Sequence, residues 1–230
     1  MNIVITGASR GIGYHTALEL AKDPANRVIA LSRNTAALDV LRSNAPHGNI
    51  YIFPADLATS TVADLEAILA PCEEVDVLIN NAGVLMNKPF AMTDMGMWQR
   101  TFEANLFGTV KMVQAAIPLM QKSAVAHIVN IGSMGGVQGT SKFPGLAAYS
   151  ASKAAIANLT ECLAEELKPL NIKVNCLALG AVNTEMLNEA FPGYQAPVGA
   201  EEMARMVAHF CLHNHRFMNG KIVPVSTSTP

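Results

Sequence analysis

Seven short apolar runs recur along the chain: NIVIT at 2–6, RVIAL at 27–31, NIYIF at 49–53, VDVLI at 75–79, AHIVNI at 126–131, IKVNCLAL at 172–179 and KIVPV at 221–225. They are rich in β-branched residues and apolar on both faces, which is the pattern of strands covered on both sides. Between them lie stretches long enough for crossover helices, expected after Gly11, after Asn34, near 60–70, across 94–121, across 147–168 and from 200 to 213. Parallel neighbours need such crossovers, and within one sheet these are right-handed almost without exception. The chain is therefore read as α/β, one doubly wound seven-stranded parallel sheet with helices on both faces. Its 230 residues, half of them hydrophobic and 15 % charged, suit a single domain with a sizeable core, and no internal repeat or low-complexity linker divides it. In such a sheet the ligand crevice opens beyond the carboxyl ends of the strands, where their order reverses. Residues placed just after strands are then where chemistry is to be sought.

The first run ends in TGASRGIG, Thr6 to Gly13. Gly7, Gly11 and Gly13 permit backbone conformations and close approaches that a Cβ would block, so the following helix can turn its N-terminus to a pyrophosphate. The G-x-x-x-G-x-G spacing is looser than the GxGxxG of many dinucleotide sites, and a plain glycine connector fits the same residues. About twenty residues on, where an acid would accept the adenosine ribose hydroxyls, the second run leads into Ser32, Arg33 and Asn34. A guanidinium attracts a ribose 2′-phosphate that a carboxylate would repel, so this end favours NADP over NAD, with Arg10 as a second positive contact. Either arginine alone is equally an ordinary surface residue.

In AAYSASKAAIANL, residues 147–159, Tyr149 precedes Lys153 by one helical turn. A positive charge about 4 Å away at an effective dielectric near 20 is worth roughly 4 kcal/mol, about three pK units, enough to bring a phenol toward neutrality. The pair by itself is also what a surface tyrosine beside a solvated lysine looks like. Ser133 after the fifth run reads equally as a turn residue, and Asn105 in a helical stretch as a bend.

Taken in order, TGASRGIG, Asp56 in PADL, the turn Asn80-Asn81-Ala82-Gly83, Asn105 in FEANLFG, Ser133 in NIGS and the Tyr149/Lys153 pair resemble the short-chain dehydrogenase/reductase family over essentially the whole chain. The resemblance implies a Rossmann-type sheet and hydride transfer between NADP(H) and a small carbonyl or alcohol substrate. It implies that Tyr149 gives or takes the substrate proton, and that Lys153 lowers the tyrosine pKa and holds the nicotinamide ribose. Ser133 would hydrogen-bond the substrate oxygen, and Asn105 would hold a water passing protons to the lysine. Along the dinucleotide it implies Gly7, Ser9, Arg10, Gly11, Ile12 and Gly13 from the turn, then Ser32, Arg33 and Asn34. Asp56 and Leu57 would follow the third strand, and Asn81, Ala82 and Gly83 the fourth. Gly180, Val182 and Thr184 would follow the sixth, with Thr184 meeting the nicotinamide carboxamide. Three features depart from the family pattern: Leu179-Gly180 stands for Pro-Gly, the interval from Ser133 to Tyr149 is long, and the chain ends VSTSTP instead of Asp-Gly-Gly. None removes a reacting group.

MGGVQGTSKFPGL at 134–146 and the segment 184–199 read as loops over the crevice. They carry Met134, Phe143, Leu146, Met186, Phe191 and Tyr194, which with Leu179 are expected to form a compact, apolar substrate pocket. The net charge of −2 without a basic block argues against nucleic acid or an anionic membrane as partner. No apolar run reaches a membrane span, no leader pattern precedes the first strand, and Cys72, Cys162, Cys176 and Cys211 form no CxxC pair. A cytoplasmic protein with free thiols is expected. His209, Cys211, His213 and His215 lack an accompanying carboxylate, so no metal is expected. The stretches 103–121 and 147–168 carry apolar and small residues on more than one face, which with the resemblance implies a homodimer or homotetramer. Two other readings keep the fold, a dinucleotide-binding sensor or interaction protein with little catalysis, and an NAD-dependent enzyme of the same family. A sensor has no physical need of Asn105, Ser133, Tyr149 and Lys153 together.

Overall fold

The computed structural model describes residues 1–227. Its strands are β1 (Asn2–Thr6), β2 (Arg27–Ser32), β3 (Ile50–Pro54), β4 (Val77–Asn80), β5 (His127–Ser133), β6 (Lys173–Leu179), β7 (Val182–Asn183), β8 (Val198–Gly199) and β9 (Ile222–Val225). The seven apolar runs form one parallel sheet in the order β3-β2-β1-β4-β5-β6-β9, and β7 and β8 pair separately as a short ribbon. Strand order reverses between β1 and β4, so their carboxyl ends, Thr6 and Asn80, flank the crevice.

Period-two alternation sorts the strand residues between two cores even though both faces are apolar. Ile3, Ile5, Val28, Ala30, Val77 and Ile79 pack in one, beneath α1 (Gly11–Leu20), α2 (Thr35–Ser43) and, later in the chain, the helix Ala200–His213. Val4, Ile29, Leu31, Leu78 and Ile128 pack in the other, under α3 (Val62–Leu69) and the helices Gly108–Met120 and Ala147–Glu166. Each fully buried Leu, Ile or Val contributes about 1.5–3 kcal/mol.

The apolar stretch at 94–121 is not one helix. Asp94 caps α4 (Met95–Phe102) by accepting from Met97 N at 2.8 Å, a π-turn spans Glu103–Phe107, and α5 (Gly108–Met120) follows. Gly108 sits where a Cβ would meet Leu57 Cβ at 2.9 Å, so the helix resumes pressed against the segment after β3. The remaining helices are α6 (Ala147–Glu166), α7 (Glu185–Ala190) and α8 (Ala200–His213).

Where β5 begins, His127 is fully buried, with Nδ1 2.9 Å from the Cys211 carbonyl and Nε2 3.0 Å from Asn175 Nδ2. A carbonyl only accepts, so Nδ1 carries the hydrogen and Nε2 accepts from the amide. Burial pushes this imidazole down to about 4. Among the described residues no three His, Cys, Asp or Glu side chains converge in a way that could hold a metal ion, and no helix is long and apolar enough to cross a membrane. Cys72, Cys176 and Cys211 are buried and Cys162 exposed, all as free thiols.

Candidate active site

The ends of β1 and β4 are stitched together. Thr6 Oγ1 accepts from the backbone N–H groups of Asn81 and Ala82, both at 3.1 Å, and Asn81 Nδ2 donates to the carbonyls of Thr6 (3.0 Å) and Gly7 (3.1 Å). Gly7 has φ +69°, and a Cβ there would lie 2.7 Å from Ala82 Cα, so only glycine lets these two turns touch. Gly13 is helical, and its missing side chain leaves room for the Gly7 carbonyl and the Asn81 amide. α1 has no side-chain cap, so its first N–H groups are left for a ligand or solvent. At the end of β2, Ser32 Oγ donates to Ser9 Oγ at 2.8 Å, which ties that strand to the glycine turn. Asp56 closes its own turn by accepting from Ala58 N at 3.0 Å.

A cavity of about 750 Å³ runs along these strand ends. Its wall includes Gly7, Ser9, Arg10, Gly11 and Ile12, then Ser32 and Arg33, Asp56 and Leu57, and Asn81, Ala82 and Gly83. Further along it includes Ser133, Tyr149 and Lys153, then Gly180, Val182 and Thr184. Three of the residues assigned in the sequence to the dinucleotide or the proton path are not on the wall. Gly13 lies beneath the turn, Asn34 caps α2 by accepting from Ala37 N at 3.1 Å, and Asn105 lies behind the wall, buried in the π-turn. Thr184 has two roles, lining the cavity and capping α7 by accepting from Leu187 N at 3.2 Å.

Tyr149 and Lys153 lie on the first turns of α6. Lys153 is only 5 % exposed, its Nζ donates to the Ile131 carbonyl at 2.7 Å, and it stands 5.9 Å from the centre of the Tyr149 ring. The helical spacing does bring the pair together, but the phenol is not lowered as expected. Burial pushes Tyr149 above its usual value, with a hydrogen bond to Ser133 opposing, and burial pulls Lys153 down to about 8. Desolvation is the largest cause at both groups, and the ammonium is turned to the Ile131 carbonyl of β5. Ser133 is held in place by the turn Met134–Gly136, which packs so closely on α6 that a Cβ on Gly136 would lie 2.6 Å from the Lys153 carbonyl carbon.

Asn105 works as a clamp. Its Oδ1 accepts from Val84 N at 2.7 Å, and its Nδ2 donates to Val84 O at 3.1 Å and to Ser152 Oγ at 2.9 Å. Ser152 in turn donates to the Tyr149 carbonyl at 2.7 Å. The side-chain amide is thereby committed, joining the turn after β4 to the start of α6. Its backbone carbonyl accepts from Thr109 Oγ1 at 3.3 Å. Ser152 was not singled out in the sequence, and Thr6 only as the start of the glycine stretch. The only signal for Ser152 was its place three residues after Tyr149, on the inward side of the helix.

The expected apolar residues all reach the wall: Met134, Phe143, Leu146, Leu179, Met186, Phe191 and Tyr194. Leu146 and Leu179 are buried, whereas Phe143 (60 % exposed) and Tyr194 (48 % exposed) form a rim. Lys142 is folded onto its own loop, donating to Val137 O (2.5 Å) and Thr140 Oγ1 (2.7 Å). The acids Glu185 and Glu189 of α7 also face the cavity, and Glu189 forms a two-pronged ion pair with Arg10. Of the ending VSTSTP, Ser226 lies on the wall and packs on Gly180, where a Cβ would come 2.6 Å from its Oγ; residues 228–230 lie outside the described residues.

Comparison with known proteins gives the same picture. The short chain dehydrogenase family profile matches residues 1–195. A 3-oxoacyl-[acyl-carrier-protein] reductase of Synechocystis is 33 % identical over 187 residues, covering 80 % of this chain and 74 % of that protein. A Shigella flexneri protein described as a short chain dehydrogenase complexed with NADP superposes with a TM-score of 0.88 at 27 % identity, over 97 % of this chain and 95 % of the other. A 3-ketoacyl-(acyl-carrier-protein) reductase from Brucella melitensis complexed with NADH gives 0.84 at 25 % identity, over 97 % and 96 %. The glycine turn, the stitched strand ends and the Ser133, Tyr149 and Lys153 cluster thus stand in a chain that belongs to the short-chain dehydrogenase family of oxidoreductases.

Proposed function

We propose that the protein is an NADP(H)-dependent oxidoreductase acting on compact, mainly apolar carbonyl compounds or the matching alcohols. The observation that carries this reading is that one cavity has both the glycine turn with Arg10 and Arg33 and the group Ser133, Tyr149 and Lys153 on its wall. The residues fit a dinucleotide: Gly7 touches Ala82 as no other residue could, and α1 opens uncapped beside the turn. Such a cofactor, when bound, supplies or takes the hydride.

The chain supplies the rest. In reduction the substrate oxygen gains negative charge, and hydrogen bonds from the Tyr149 and Ser133 hydroxyls strengthen as it does so. Tyr149 then gives up its proton. Lys153, with a pKa of about 8, remains mostly cationic at neutral pH and stabilises the tyrosinate. With the Asn105 amide committed to Val84 and Ser152, its backbone carbonyl is proposed as the group that holds a relay water toward Lys153. That investment in a proton path favours an enzyme over a sensor.

Calorimetry is expected to show NADPH binding at least about tenfold, or 1.4 kcal/mol, more tightly than NADH, and the Ser32→Asp, Arg33→Asn double change to reverse the order. Equal affinities in the starting protein would overturn the cofactor assignment. A paired set of neutral and carboxylate-bearing ketones of similar size, followed by nicotinamide absorbance, tests the pocket. With Lys142 tied to its loop, neutral ketones are expected to win; carboxylates ahead by more than about tenfold in kcat/KM would rule out the apolar pocket. The chain is also proposed to work in the cytoplasm as a homodimer or homotetramer joined through the 103–121 and 147–168 surfaces, where Phe107 is 46 % exposed. A monomer mass by light scattering at micromolar concentration would contradict the assembly.

A further inference from the structure

Arg10 closes the glycine turn, and α7 closes the loop that follows β7. Although 179 residues apart, they meet: Arg10 Nη2 donates to Glu189 Oε2 at 3.1 Å while Nη1 donates to Oε1. Glu185, one turn earlier on the same face of α7, brings its Oε2 to 3.5 Å from where a Cβ on Gly11 would stand. Two carboxylates thus face the turn built for phosphates, and one sits on its guanidinium.

α7 is otherwise lightly held. None of its six residues is buried, its end is tied by Asn87 Nδ2 donating to the Ala190 carbonyl at 2.9 Å, and Gly193 beyond it has φ +85° with open space around it. The Arg10 and Glu189 side chains are 47 % and 62 % exposed, so the pair is weak, worth at most about fivefold in an equilibrium. A phosphate dianion carries more charge than a carboxylate and competes for the same planar fork.

We propose that Glu189 tunes selectivity between the two nicotinamide dinucleotides, by holding Arg10 as a carboxylate that the 2′-phosphate must displace, so that binding of the phosphorylated cofactor and release of α7 from the glycine turn are one event. This rests on the NADP(H) reading above. A dinucleotide without the 2′-phosphate has nothing to exchange for Glu189 and leaves the latch closed. The NADPH-to-NADH affinity ratio is therefore lower than Arg10 and Arg33 alone would set.

The test is a calorimetric cycle of Glu189→Gln, Arg10→Ala and the double variant with NADPH and NADH, together with amide exchange of residues 185–190 in nucleotide-free protein. Glu189→Gln is expected to tighten NADPH about two- to fivefold, to change NADH less, and to speed exchange in α7. Arg10→Ala is expected to weaken NADPH, and adding Glu189→Gln to it is expected to change nothing. If Arg10→Ala lowers the NADPH-to-NADH ratio but Glu189→Gln leaves both that ratio and the α7 exchange unaltered, the latch is wrong and the cofactor reading stands. If neither Arg10→Ala nor the Ser32→Asp, Arg33→Asn change moves the ratio, the cofactor reading itself fails and the selectivity role falls with it.

Discussion

Replacing Tyr149 with phenylalanine is expected to lower kcat by about 10²- to 10⁴-fold, the range that a positioned acid or base contributes. Phenylalanine keeps the ring beside Lys153 and loses only the hydroxyl, with its hydrogen bond to Ser133. Dinucleotide affinity should change little, because Lys153 stays anchored to the Ile131 carbonyl and the glycine turn is remote. Steady-state rates and calorimetry on the same preparation separate the two effects. A variant retaining most of its kcat would exclude Tyr149 as the proton donor. For the starting enzyme, kcat/KM for reduction should fall as pH rises through about 8, where Lys153 loses its charge.

Lys153→Met is expected to abolish turnover and yet make the protein more stable near neutral pH. The folded pKa of Lys153 is pulled from 10.5 to about 8, so between these values the unfolded chain binds more protons than the folded one. Stability therefore rises with pH across that window and lies at its lower plateau below 8. The full shift is worth about 3 kcal/mol. Methionine removes that penalty and gives up the hydrogen bond to the Ile131 carbonyl, a loss of about 1 kcal/mol, so a net gain of about 2 kcal/mol is expected. In a chain of this length that raises Tm by about 4–8 °C. Comparing the two proteins from pH 7 to 10 isolates the lysine, since the tyrosine titrates in both. A variant that melts lower at pH 7 would overturn the expected net gain.

The strands were legible because complete burial leaves a mark in sequence: Val77, Leu78 and Ile79 face opposite cores in alternation, yet each is apolar. The motifs after the strands were legible for a related reason, since turns such as the one at Gly7 admit few residue types. What stayed hidden depends on partners distant in the chain. Nothing in FEANLFG announces a π-turn, and the partners of the Asn105 amide within it, Val84 and Ser152, are 21 and 47 residues away in the chain. Asn34 sat at the expected strand end, but its side chain serves the cap of α2. The spacing of Tyr149 and Lys153 set their proximity and said nothing of how deeply the ammonium lies. Glu189 carried no signal in the sequence, and only the fold, across 179 residues, brings it to Arg10.

The π-turn also constrains how this chain can change length. A helix advances about 100° per residue, so one extra residue between two helical segments rotates everything after it by that amount. α5 buries Met112, Val113 and Ala116 against the sheet only at its present phase relative to α4. Losing one residue at 103–107 would let an ordinary helix run through, but at the cost of turning either that apolar stripe or the Asn105 amide away from its partners. The clamp behind the cavity is in this sense stored as an angle, and a one-residue deletion there is a rotation rather than a shortening.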